Sequence, residues 1–95
     1  LDINKGMLLA LHLGRLKERG ELQPHQISMG KLNNCRTAIA VSLSARTLLG
    51  GNGITTDYSP LRHAANLESV RTYEGTDEVH TLVIGQAITG LAAFR

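Results

Sequence analysis

Apolar residues recur at helical spacing in four stretches of the chain. In residues 1–19 they fall at Ile3, Met7, Ala10, Leu11, Leu13 and Leu16, which makes a wide apolar surface on one helix. Arg15, Lys17 and Arg19 occupy its last turns, where cations complement the helix dipole, and Gly20 follows as a natural C′ residue. A second helix is predicted to start at Pro24, a good first helical position, and to run for about 25 residues to Gly50. Its stripe of Ile27/Ser28, Leu32, Cys35, Ile39, Ser42/Leu43, Arg46 and Leu49 alternates steps of three and four, so one face meets neighbouring helices.

Gly50-Gly51-Asn52-Gly53 predicts a non-helical connection, because three glycines in four positions favour a turn. A short third helix is expected from Ser59 as N-cap and Pro60 as first residue to about Leu67, with a break from Glu68 to Gly75. Thr76 then caps a fourth helix with Asp77 and Glu78 in its positive first turn, ending near Gly90. The apolar positions of this helix are Val79, Leu82, Val83, Ala87, Ile88 and Leu91. No period-two alternation survives anywhere. The expected fold is all-α, one domain over 1–95, with four helices in an up-and-down bundle. The wide apolar faces of the first and fourth helices predict further helices or other subunits against them. The chain opens inside a helical pattern with neither a cap nor a Met, as expected for a piece of a longer protein.

Composition narrows the function classes. Hydrophobic residues make up 42% but aromatics only 3%, with no Trp, so the core must be built from Leu, Ile, Val, Ala and Met. The ten Lys and Arg residues are scattered and the net charge is +2, which gives nucleic-acid binding no footprint. No apolar run approaches the ~20 residues of a membrane span, and no signal-peptide pattern is present. Cys35 is alone, so it is expected to be a buried structural thiol in a reducing compartment. His12, His25, His63 and His80 have no zinc-like spacing, and no Gly-x-Ser-x-Gly elbow exists, so neither a metal site nor a serine nucleophile is expected.

Three places carry candidate chemistry. The Leu49–Ile54 glycine loop is either a sharp turn between helices or a main-chain cradle for a ligand; it is neither a P-loop nor a dinucleotide fingerprint. In Thr72-Tyr73-Glu74-Gly75-Thr76, Glu74 is either an acid favouring a helix start or a general base facing a cleft, which Gly75 would let a substrate approach. A dry cleft would raise the pKa of such a base toward neutrality. His63 and Asn66 share a helix face, and either order the turn before Glu74 or form an ordinary polar surface.

Taken together, Leu49 to Gly53, a short helix, and Tyr73-Glu74-Gly75-Thr76 opening a last helix resemble the C-terminal helical domain of acyl-CoA dehydrogenases. The 23-residue step from Gly51 to Glu74 suits that family. Arg62-His63, Asn66-Leu67-Glu68, Ile84-Gly85, Ala87-Ile88-Thr89-Gly90, Phe94, Leu13-Gly14-Arg15-Leu16-Lys17 and Asn33-Asn34-Cys35 look most like the glutaryl-CoA dehydrogenase branch. The likeness covers essentially the whole chain but only the last part of the family's longer sequence.

The resemblance implies a flavoprotein that oxidises acyl-CoA thioesters. Glu74 matches the catalytic base that removes an α proton, while a hydride leaves the β carbon for FAD; in the glutaryl branch the product also loses CO2 to give crotonyl-CoA. Tyr73, Glu74 and Gly75 match the substrate-binding segment, with the Glu74 N–H holding the thioester carbonyl. Gly51 matches a contact to the FAD of a neighbouring subunit, and Thr76 and Glu78 match further cofactor contacts. Glu78 stands where many straight-chain members have Gln, as does Thr47, and Ala65-Asn66 replaces a common Arg-Asp pair. Implied partners are the acyl-CoA substrate, an electron-transfer flavoprotein and three further copies in a homotetramer, in a bacterial cytoplasm or a mitochondrial matrix. Alternatives are a short-chain acyl-CoA dehydrogenase, an oxidase passing electrons to O2, and, for the isolated chain, an inactive helical assembly module.

Overall fold

The computed structural model describes residues 1–94. It contains four α-helices, α1 (Asp2–Glu18), α2 (Pro24–Leu48), α3 (Pro60–Thr72) and α4 (Asp77–Thr89), and no strand among the described residues. The all-α expectation therefore holds. Helix ends follow local chemistry. Gly20, at φ 71°, closes α1: its N–H donates to the Lys17 carbonyl at 3.0 Å and the Glu21 N–H to the Leu16 carbonyl at 2.9 Å, the double bond pattern of a Schellman cap. Pro24 opens α2, and the Gln23 N–H donates to Gln26 Oε1 at 2.8 Å. At α4, Thr76 Oγ1 accepts from the Val79 N–H at 3.3 Å, and Gly90 ends the helix at φ 75°.

Helix α2 is the hub. Every substantial contact between α-helices includes it. Helix α1 crosses it where Gly30 leaves room: a Cβ there would lie 2.3 Å from Leu13 Cδ1. Leu16, Cys35, Ile39 and Ala64 form the small apolar core, and Cys35 is buried as expected. The radius of gyration is 15.9 Å, against about 12 Å for a compact chain of this length. The accessible surface is 6874 Å², about 1,500 Å² above that of a compact monomer of the same mass. Apolar side chains share in this exposure: Ile3, Met7, Leu8 and Leu11 on α1 and Val79, Leu82 and Ile88 on α4 are all exposed.

Three local expectations are corrected. Helix α3 continues five residues past Leu67 to Thr72, because Glu68 stays helical, accepting from Thr72 Oγ1 at its carbonyl and pairing with Arg71 through its side chain. The break shrinks to residues 73–76. The glycine loop does make a helical turn, a 3₁₀ segment at Gly50–Ile54. Gly50 alone takes a positive φ, 58°, which ends α2, and the rest folds back on the α2 C-terminus. Ile27 and Leu43, assigned to the buried stripe of α2, are exposed, and Ser28 takes the inward position. Helix α4 buries Asp77 and His80, half-buries Val83 and Ile84 and leaves Val79, Leu82 and Ile88 exposed, in line with the open face expected of it.

Gly53 is buried at this fold-back, where a Cβ would lie 2.2 Å from the Arg46 carbonyl oxygen. Gly53→Ala is therefore expected to cost about 1–3 kcal/mol through forced backbone movement. Gly51→Ala meets nothing within 4 Å and should stay within about 0.5 kcal/mol. Thermal unfolding of both variants followed by circular dichroism checks this; equal melting temperatures would contradict the close approach.

Candidate active site

The break between α3 and α4 places two positive-φ residues between two extended ones. Tyr73 is extended at φ −78°, ψ 157°. Glu74 sits at φ 51° and Gly75 at φ 102°, and Thr76 returns to extended at φ −72°, ψ 168°. Glu74 is the one non-glycine residue with positive φ among those described, a conformation that costs roughly 1–2 kcal/mol. Gly75 meets two demands: its φ disfavours any side chain, and a Cβ would lie 2.7 Å from His80 Nε2.

Three anchors hold this turn. Lys31 of α2 donates to the Gly75 carbonyl at 2.7 Å and to the Tyr73 carbonyl, and its ammonium lies 5.3 Å from the Tyr73 ring centre. Asp77, buried at the first position of α4, accepts on a single oxygen from Arg36 Nε of α2 and Arg71 Nε of α3, each at 2.9 Å. His80 Nδ1 lies 3.0 Å from Ser28 Oγ of α2, while its Nε2 is buried without a partner. The Arg36 guanidinium foremost, with Arg71 adding to it, holds the Asp77 carboxyl below its usual value of 3.8 against an opposing push from burial.

The structure brings Tyr73, Glu74, Gly75, Thr76 and Glu78 together on one turn and the helix start after it. Gly51 lies elsewhere. It lies in the 3₁₀ segment beyond the far end of α2, and Lys31 and Leu48 alone are about 25 Å apart at helical rise. One chain therefore does not unite the two places. Tyr73 and Glu74 are exposed, so the described residues do not themselves enclose a dry cleft around the carboxylate. His63 and Asn66 are exposed and hydrogen-bond nothing in the turn among the described residues; they form a polar surface. Among the described residues no group of three or more His, Cys, Asp or Glu is placed to share a metal ion, and no helix is long and apolar enough to cross a membrane.

Lys31, Arg36, Arg71, Ser28 and His80 escaped the sequence reading as site residues. A signal existed for Lys31: it lies three residues after Ser28 and four before Cys35, both buried. A cation at such a spacing needs a partner. His80 carries a like signal, three residues after the buried Asp77.

The chain belongs to the acyl-CoA dehydrogenase family: the model for the acyl-CoA dehydrogenase C-terminal domain matches residues 1–89. It is similar to glutaryl-CoA dehydrogenase from Mycobacterium smegmatis, with 64% identity and a TM-score of 0.96 over 100% of this chain. A second structure of a glutaryl-CoA dehydrogenase from that organism, in complex with FADH2, gives 66% identity and a TM-score of 0.94 over 99% of this chain. The human mitochondrial short-chain specific acyl-CoA dehydrogenase is 32% identical over 88% of this chain. The chain spans 24% of the two solved chains and 20% of the human enzyme.

Because the folded Asp77 carboxyl ionises below its unfolded counterpart, its stabilising effect is present above pH 3.8 and fades as pH falls through the folded value. Asp77→Asn is expected to cost about 2 kcal/mol at pH 7, since it weakens two charge-assisted bonds to a buried acceptor. The difference from the parent should shrink steadily below about pH 4. Urea unfolding at several pH values measures both; a difference that persists unchanged at pH 2 contradicts the assignment.

Proposed function

We propose that this chain forms the C-terminal helical part of an FAD-dependent acyl-CoA dehydrogenase acting on glutaryl-CoA, with Glu74 as the base that removes the α proton. The observation that carries this reading is the 64% identity, spread over the whole chain, to a glutaryl-CoA dehydrogenase. Family members sharing only general acyl-CoA chemistry stand near 30%.

The residues of the turn suit the roles. Glu74 lies outside any helix, so its carboxylate is free to face a substrate. Its main-chain N–H is the donor for the thioester carbonyl; holding that oxygen stabilises the enolate that forms as the carboxylate takes the α proton. After oxidation, the same protonated carboxyl returns a proton to the carbanion left by loss of CO2, which yields crotonyl-CoA. Gly75, without a side chain, lets the acyl group lie against the main chain.

The chain also fits FAD at two places. The space around Gly51 is open, with nothing within 4 Å of where a Cβ would stand, so a flat ligand can meet its backbone. At the start of α4 the Thr76 hydroxyl accepts from Val79 and keeps its own proton to donate, toward a helix N-terminus that favours phosphate. Glu78 is an exposed carboxylate; as an acceptor it suits a hydroxyl of the cofactor, not its phosphates. When bound, FAD supplies the acceptor for the hydride leaving the β carbon. The distance of Gly51 from the turn fits a loop that serves a neighbouring subunit. Ile3, Met7, Leu8 and Leu11 on α1 and Val79, Leu82 and Ile88 on α4 are exposed apolar side chains that neighbouring subunits could cover, which supports the homotetramer. An electron-transfer flavoprotein is the proposed electron acceptor.

The full-length protein mixed anaerobically with glutaryl-CoA tests this reading. Flavin bleaching with crotonyl-CoA detected by mass spectrometry is expected. Glu74→Gln should retain FAD and lower the bleaching rate at least about 1,000-fold, as loss of a committed base does. Near-normal bleaching in that variant would refute Glu74 as the base. Bleaching by butyryl-CoA alone would replace glutaryl-CoA with a short-chain substrate, and peroxide formation in air would replace the flavoprotein partner with O2.

A further inference from the structure

We infer that Lys31 is a positioning residue for the reaction, aiming and polarising the main-chain N–H of Glu74 through the peptide unit it shares with Tyr73. This rests on the reading of Glu74 as the base and of its N–H as the thioester donor.

The geometry is specific. Lys31 stands on α2, 42 residues from Tyr73 and 44 from Gly75, yet its ammonium donates to the carbonyls of both. It thus grips the residues on either side of Glu74 and leaves Glu74 itself uncovered. The Tyr73 C=O and the Glu74 N–H belong to one planar trans peptide, in which they point in opposite directions. A cation fixed on the carbonyl therefore fixes the N–H, directing it away from α2. Among the described residues, the Glu74 N–H donates to no main-chain carbonyl and to no side chain.

Charge adds to direction. A hydrogen bond from an ammonium is stronger than one from a neutral donor, and drawing electron density toward the carbonyl oxygen makes the N–H on the same peptide a better donor. The effect is delivered where negative charge grows on the thioester oxygen. Lysine fits the task because it offers three donors and no acceptor, and can hold two carbonyls at once. The cation also lies at the negative end of the α3 dipole, and it faces the Tyr73 ring at 5.3 Å. These bonds offset the left-handed conformation of Glu74 at φ 51°. A turn that needed only to change direction would place glycine there; a base that must carry a carboxylate needs an external clamp.

The test uses the full-length flavoprotein, with Lys31→Met, Lys31→Arg and Glu74→Gln prepared together. Two readouts follow anaerobic mixing: the rate of flavin reduction by glutaryl-CoA, and the C=O stretch of bound crotonyl-CoA labelled with 13C at the thioester carbon. In Lys31→Met the stretch should move toward its value in free solution. Flavin reduction should slow about ten-fold or more, with FAD content and substrate affinity near those of the parent. Lys31→Arg should recover most of both signals. An unchanged stretch with a rate within about twofold of the parent overturns the inference. So does a Lys31→Met protein that loses FAD in step with its rate, which would make the residue structural only. Parent-like flavin reduction by Glu74→Gln is seen separately, and would bring down the underlying reading of the turn together with this one.

Discussion

Two guanidinium groups converge on one oxygen of Asp77, Arg36 from α2 and Arg71 from α3, and this convergence fixes where α4 begins. Asp77 is buried while both arginines keep contact with water. The arrangement avoids the heavy desolvation cost of a fully interior ion pair. It still ties three helices to a single carboxylate. The residues just before it inherit that constraint. Thr76 caps α4, Gly75 packs on His80, and Glu74 is left in a left-handed conformation with its carboxylate outside.

The turn depends on α2 as much as on its own residues. Lys31, Arg36 and Ser28 lie along the same helix and reach the turn, the first residue of α4 and His80. A long helix is well suited to this role because its side chains are held at fixed intervals of rise and rotation. Strain at Glu74 is thereby held by neighbours that are rigid in their own right, as expected where an unusual backbone conformation serves function. The open apolar faces belong to the opposite side of the same economy. With α2 at the centre and a small core, α1 and α4 bury little of their apolar surface within the chain. Both remain available to whatever surrounds this domain in its longer relatives.

Residue pattern determined much of this. The boundaries of α1 and α2 follow from Gly20, Pro24 and Gly50, because φ freedom and a missing N–H are properties of a residue type and need no neighbours. The start of α4 follows from Thr76 for the same reason. The Tyr73-to-Thr76 segment stood out in the sequence, and so did the family likeness it carries. The end of α3 did not, since no breaker follows Leu67; tertiary pairing of Arg71 with Asp77 and a left-handed Glu74 set it. The 3₁₀ turn at Gly50–Ile54 was hidden similarly, because glycine permits many conformations and packing against the Arg46 carbonyl selects one.

Tertiary structure alone decided which polar residues meet. Lys31 and Tyr73, Arg36 and Asp77, and Ser28 and His80 are separated by 42, 41 and 52 positions. Helical periodicity reports neighbours three and four apart, so it is blind to such pairs. It read the apolar face of α4 as open to neighbours, and Val79, Leu82 and Ile88 are exposed, but it gave no sign that Asp77 and His80 are the buried side chains. The sequence by itself thus determined where helices begin, which residue carries the candidate carboxylate and which family the chain resembles. Only the folded arrangement decided how that carboxylate is held, because the holding charges come from distant helices and their pairing is a matter of packing, not of local preference.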